Sequence, residues 1–168
     1  MEFDPVERIT ADAVGVPGQR TFYLQARHGK RSVHVLVEKD QVRLLAASIL
    51  EILQRVGKET SVDAVPDEDL ALVEPDPNAW RAGRLSIGYQ EERDLLVLDV
   101  EELVPEEDER PPQELRIWAT REQMLALARH GAAAVAAGRP ACQFCGNPID
   151  PEGHWCPGMN GHRQSGMV

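Results

Sequence analysis

Two stretches of the chain carry apolar residues at helical spacing, and each follows a set of short alternating runs. From Asp40 onward, Val42, Leu45, Ala46, Ile49, Leu53 and Val56 recur at the interval that places them on one helix face, while Lys39, Arg43, Gln54 and Arg55 fall largely elsewhere. Gly57 stands where a left-handed residue would end that helix. Thr120 to Gln123 reads as a capping box, the threonine hydroxyl meeting the amide three residues on and the glutamine reaching back. A second helix is expected from there through Met124, Leu127, Ala128, Ala132 and Val135 to Gly138. Ahead of the first helix, Val6 to Val14, Thr21 to His28 and Ser32 to Val37 read as strands, with glycines at the turns between them. Ahead of the second, Leu85–Tyr89, Asp94–Val100 and Leu115–Ala119 do the same. The order βββα thus occurs twice, and hairpins are the economical way to join its strands. The expected fold class is α+β: two βββα-like halves sharing a mostly antiparallel sheet, with a small C-terminal segment that holds all three cysteines.

The two strand-into-helix junctions agree at an offset of 82, which aligns Val35 with Ile117, Lys39 with Arg121, Asp40 with Glu122, Gln41 with Gln123, Val42 with Met124, Leu45 with Leu127 and Ala46 with Ala128. An offset of 63 instead matches the hairpins Phe22–Val37 and Leu85–Val100, and one collinear duplication cannot obey both. The first is favoured. It divides the chain into an α+β domain over 1–138, with an internal repeat of 1–58 and 80–138 about an acidic linker at 59–79, and a tail over 139–168. Pro66, Pro75 and Pro77 keep the linker from forming one long helix and leave a loop with a helical turn near Asp67–Val73.

Across 168 residues, 18 Lys and Arg stand against 28 Asp and Glu, a formal charge of −10 that on its face argues against nucleic acid. Half of the acids lie in two stretches without any Lys or Arg. Seven fall between 59 and 79 (Glu59, Asp63, Asp67, Glu68, Asp69, Glu74, Asp76) and seven between 99 and 109 (Asp99, Glu101, Glu102, Glu106, Glu107, Asp108, Glu109). The rest of the chain carries a net charge of +4. Like charges repel, so both stretches are expected to be hydrated, exposed and mobile rather than Mg²⁺ sites.

Among the basic residues, Arg20, Arg27 and Arg31 bracket the first hairpins and are the candidates for binding a phosphate or other anion. His34, in an alternating strand, is expected to be structural. No Walker loop, nucleophile elbow or Ser/His/Asp order is present, so no catalytic residue is assigned. The expected role is non-catalytic binding or regulation. The alternative is a phosphate-ester-handling enzyme that grips its substrate with the three arginines. The longest apolar runs, such as Leu95–Leu98 and Ala132–Ala137, fall far short of a membrane span, and the opening Met-Glu-Phe-Asp-Pro has no secretion signal. A cytoplasmic protein is expected.

All three cysteines lie in the tail as Cys142-x2-Cys145-x10-Cys156, with His154 and His162 beside them. Two thiolates from Cys-x-x-Cys followed by Gly146 converge on a tetrahedral ion, and a fourth ligand closes the site. His154 would make the pattern Cys-x2-Cys-x8-His-x-Cys, and His162 would make it Cys-x2-Cys-x10-Cys-x5-His. Both reach, and His154 is preferred. Four protein ligands leave no open position, so the expected cofactor is a structural zinc that organises a segment too poor in apolar residues to fold alone. A redox dithiol would want a βαβ setting, and an iron–sulfur cluster a fourth cysteine.

The run Gly138-Arg-Pro-Ala-Cys-Gln-Phe-Cys-Gly-Asn-Pro-Ile-Asp-Pro-Glu-Gly-His-Trp-Cys-Pro-Gly-Met-Asn-Gly-His162 resembles the C-terminus of an actinobacterial family of uncharacterised proteins, a domain of unknown function. Members read Gly-Arg-Pro-x-Cys-Pro-x-Cys-Gly-x-Pro-x-Asp-Pro-x-Gly-His-x-Cys-Pro-Arg-x-Asn-Gly. The segments Gly15–Arg27, Glu38–Val42 and Gly88–Asp94 are similar too, so the resemblance runs over nearly the whole chain. Gln143 stands where members carry Pro and Gly158 where they carry Arg, which takes away any phosphate contact by that arginine. The resemblance implies His154 as the ligand, because Gly153-His154 belongs to the motif. It also implies a phosphate-related pathway, since the family's genes adjoin those of a histidine-phosphatase-like and a kinase-like protein. The expected partner is therefore a protein of one of those kinds, with nucleic acid left open and no membrane.

Overall fold

The computed structural model describes residues 1–137 and, in the tail, the short strands 154–155 and 163–164. In chain order the elements are β1 (Glu2–Phe3), β2 (Arg8–Val14), β3 (Thr21–His28), β4 (Arg31–Val37), α1 (Lys39–Val56), a 3₁₀ turn (Asp67–Leu70), β5 (Trp80–Gln90), β6 (Leu95–Glu102), β7 (Glu114–Thr120), α2 (Arg121–Ala137), β8 (His154–Trp155) and β9 (Arg163–Gln164). The order βββα is present twice, as β2-β3-β4-α1 and β5-β6-β7-α2, in an α+β fold. No helix among the described residues is long and apolar enough to cross a membrane.

Seven strands form one sheet in the order β1-β7-β6-β5-β4-β3-β2. Within each half the pairing is antiparallel. Leu24 of β3 lies between Ala11 and Val35, and Leu98 of β6 between Ile87 and Ile117. Between the halves it is parallel and short: Val35 and Leu36 meet Trp80 and Arg81, while Arg116 and Ile117 meet Glu2 and Phe3. β1 and β2 are consecutive pieces of one N-terminal segment, yet they stand at opposite ends of the sheet order. Between them, the Val6 amide donates to the Trp118 carbonyl (2.8 Å) and the Glu7 amide to the Arg27 carbonyl (3.0 Å). One stretch of chain therefore bonds to both β7 and β3, and the sheet curls back on itself.

Each helix begins with the same pair of bonds. Gln41 Oε1 accepts the Glu38 amide (2.7 Å), and Gln123 Oε1 accepts the Thr120 amide (2.9 Å), so both glutamines reach back over the first turn. Their amide nitrogens then cross to the other half. Gln41 Nε2 donates to the Ala82 carbonyl at 3.2 Å, and Gln123 Nε2 to the Val6 carbonyl at 3.1 Å. α1 ends on Gly57, whose left-handed φ of 70° lets its amide bond the Leu53 carbonyl.

The shared face of the sheet and the two helices enclose the core. Leu24, Val35, Leu98 and Ile117 from strands and Ile49, Met124 and Leu127 from helices are no more than 1% exposed. The halves differ where each helix meets a first strand. A Cβ on Gly131 would lie 3.0 Å from Val42 Cγ1 and 3.6 Å from Ala11 Cβ, so α2 sits tightly between α1 and β2. The matching positions in the other half hold Ile49 and Ile87, and there α1 stands off β5.

On the opposite face, the acidic segment crosses β2, β3 and β4 over a row of three adjacent polar residues. Thr10 Oγ1 donates to the Leu70 carbonyl (2.7 Å), Gln25 exchanges two bonds with the main chain of Val73 (2.9 and 3.1 Å), and His34 Nδ1 accepts the Asp76 amide (2.7 Å). These bonds satisfy Thr10 and Gln25, which the segment buries to 3% and 6% exposure. The carboxylates are exposed as expected, with Asp69 half-buried against Arg8, but the backbone is tied down rather than loose. His34 is structural, as expected. The second acidic stretch is partly used inside the fold. Glu102, its side chain 7% exposed, takes a bidentate grip from Arg110 (2.7 and 2.9 Å) and the Gln113 amide (3.1 Å), and Asp99 pairs with Arg116. The Arg110 guanidinium, and then the Gln113 amide, hold the Glu102 carboxyl at about 2.

Two outcomes follow from these contacts. Gly131→Leu should lower the unfolding free energy by about 1–3 kcal/mol through overpacking, measured by urea denaturation, and adding Val42→Ala should recover part of that loss. Because the folded Glu102 carboxyl titrates below its ordinary 4.5, its contribution to stability is present above that pH and fades as the pH falls toward about 2. Glu102→Gln should melt lower than the parent at pH 7, and the gap in melting temperature should close across that window.

Candidate functional site

Where α1 is held off β5, a groove of about 1030 Å³ opens between them. Leu45 and Ile52 of α1 and Leu85 and Ile87 of β5 line it, and Leu44, 56% exposed, extends the apolar surface outward. Gln41 and Gly83 mark one end, and Lys58, Tyr89 and Glu91 the other. Arg55, Lys58 and Arg84 stand around it, with Glu51 bound to Arg55 at 2.6 Å.

The β5 side of the groove is an open strand edge. β4 pairs with β5 only at Trp80 and Arg81, and Gln41 Nε2 covers the Ala82 and Gly83 carbonyls (3.2 and 3.5 Å). From Arg84 to Tyr89, the side of β5 turned away from β6 meets no backbone partner among the described residues.

The Tyr89 end is anchored by charge. Tyr89 donates to Asp94 Oδ1 (2.7 Å), and Arg121, the first residue of α2, grips both Asp94 oxygens (2.8 and 3.2 Å). The same guanidinium donates to the Glu59 carbonyl (2.9 Å) and Thr60 Oγ1 (2.7 Å), so it ties α2, the β5–β6 turn and the chain after α1 together. Arg121 and then Tyr89 pull the Asp94 carboxyl down to about 2. Lys58 Nζ donates to the Tyr89 hydroxyl (3.3 Å), which holds the ammonium above its ordinary value. Asp94 adopts φ 53°, a left-handed conformation that aspartate tolerates better than most residues. Of the other hydroxyls, Ser48 and Ser86 have no His or carboxylate partner among the described residues.

The residues singled out from sequence lie elsewhere. Arg20 donates to the Ala134 carbonyl (2.6 Å) beside the Phe22 ring, in a separate cleft of about 350 Å³ shared with Lys39 and Arg81. Arg31 lies over the Phe3 ring and donates to the Glu2 carbonyl (2.9 Å), and Arg27 is 3.9 Å from Glu7. Arg27 and Arg31 share one end of the β3–β4 hairpin, while Arg20 is seven residues up β3, roughly 23 Å away at strand rise. The tail residues Cys142, Cys145, Cys156 and His162, and the His154 side chain, lie outside the described residues; the backbone of His154 pairs with that of Gln164. Among the described residues, no three His, Cys, Asp or Glu side chains gather as a metal site would require. One sequence signal pointed at the groove: Leu44 and Ile52 widen the apolar arc of α1 beyond what one buried face needs.

No curated protein and no solved structure matches the chain. The model of a family described as a protein of unknown function (DUF3090) matches residues 1–156. With nearly its whole length covered, the chain belongs to that family of unknown function.

Proposed function

We propose that the chain is a non-catalytic binding or regulatory protein of the cytoplasm that receives a partner in the α1–β5 groove. The groove itself carries this reading: an aliphatic floor beside an open strand edge, with the polar groups at its Tyr89 end committed to one another. Such a surface is suited to seating a ligand, and among the described residues its Ser48 and Ser86 hydroxyls lack the base a nucleophile needs. An enzyme holding phosphate with Arg20, Arg27 and Arg31 together gains no support from an arrangement that puts Arg20 at the far end of β3. The matching capping bonds of Gln41 and Gln123 support an internal repeat of 1–58 and 80–138.

The tail adds a structural zinc held by Cys142, Cys145, Cys156 and His154, with His162 the alternative fourth ligand; the spacing and the actinobacterial motif support it. The same resemblance supports a phosphatase-like or kinase-like protein as the partner.

Two measurements test these readings. The dye 1-anilinonaphthalene-8-sulfonate should bind the folded protein with blue-shifted emission, and Ser48→Trp, which fills the groove from α1, should weaken that binding at least tenfold. Equal binding by the variant defeats the groove as a site. Elemental analysis of reduced protein should find stoichiometric zinc, retained less well by His154→Ala than by His162→Ala. Metal-free protein ends the zinc proposal, and the reverse order moves the fourth ligand to His162.

A further inference from the structure

We propose that the occupant of the groove is an extended peptide segment of a partner protein, added as a further strand on the open edge of β5. This rests on the groove being the binding site. β5 runs eleven residues, but its pairing with β4 stops after Arg81, and from Arg84 to Tyr89 the edge facing α1 is unpaired among the described residues. In a strand, alternate residues turn both their N–H and C=O to the same side, so roughly three of these residues present a donor and an acceptor to the groove, about 7 Å apart. Backbone groups left beside an aliphatic floor call for partners. Another main chain supplies donors and acceptors at that repeat, which neither an acyl chain nor a compact metabolite does.

The side chains fit the same occupant. Leu85, Ile87 and Tyr89 alternate on the face shared with the buried Leu96, Leu98 and Val100, so every second side chain of an added strand would lie against this floor and the Leu45–Ile52 stripe of α1. Arg55, exposed and paired with Glu51, and Lys58, bonded to Tyr89, stand together at the C-terminal end of α1, where an acidic residue of the peptide can join them. The matching edge of β2 is unpaired too, but Gly131 brings α2 down onto it at Ala11, so among the described residues the open edge occurs once.

The test uses the full chain and a panel of fluorescein-labelled octapeptides with Val, Ile or Leu at alternate positions and Glu, Thr or Ser between them, read by fluorescence anisotropy. The tightest binder should carry Glu at one end, bind one to one, and lose at least tenfold in affinity on Ser48→Trp. Arg55→Glu should weaken it more than its Gln-for-Glu analogue. N-methylation of one alternate set of its backbone amides should weaken binding at least tenfold, while methylation of the other set should leave it within about twofold. If both methylated peptides bind as well as the parent, the strand geometry is wrong. If no peptide binds while the naphthalene dye still does, the groove is a site for another ligand and only this proposal falls. If neither binds, the groove reading falls with it. A dimer in sedimentation that Ser48→Trp splits would assign the edge to a second copy and overturn the proposal.

Discussion

The parallel joins between the two halves last for two residues each, and most of the structure follows from that shortness. A parallel partner needs a long connection, and β4 reaches β5 through α1 and the acidic segment, whereas β7, whose chain continues into α2, takes its parallel partner β1 from the N-terminus. β5 touches β4 at Trp80 and Arg81 and then diverges from it, with α1 alongside. What happens beyond depends on how closely the helix can follow. Where Gly131 meets Ala11 the helix closes onto the strand, and where Ile49 and Ile87 stand it does not.

Gln41 and Gln123 fasten this arrangement. A glutamine at the third helical position ordinarily serves its own helix, and its carbonyl does so in both cases. The leftover amide protons are spent on carbonyls of the opposite half, at the point where parallel pairing has ended and those carbonyls would lack a partner. Cap, crossover and interface are one local device used twice.

Much of this was legible before any coordinates. The six longer strands and both helices lie where alternation and helical spacing put them, except that β5 begins at Trp80 rather than Leu85, because each buries one face against a common core and its pattern records that face. The offset of 82 paired Gln41 with Gln123, and the capping bonds show why those positions agree. β1 was not legible, since two residues carry no period and its pairing is decided by β7, more than a hundred positions away. The groove was legible only as the wide apolar arc of α1, because the distance between α1 and β5 is a property of the packed elements that no local pattern records. The arginines near the hairpins drew attention as exposed charge, whereas Arg20 and Arg31 are engaged by carbonyls and rings that only the folded chain brings near.

The row of Thr10, Gln25 and His34 engages the acidic segment solely through main-chain atoms of Leu70, Val73 and Asp76. Any residue other than proline at Val73 or Asp76 can supply the amide, and any residue at all can supply a carbonyl. Asp69, paired with Arg8, and the buried Leu70 aside, the course of the segment is thereby uncoupled from its composition. Evolution can rewrite the charge displayed over this face of the sheet, carboxylate by carboxylate, without renegotiating how the strands beneath are covered.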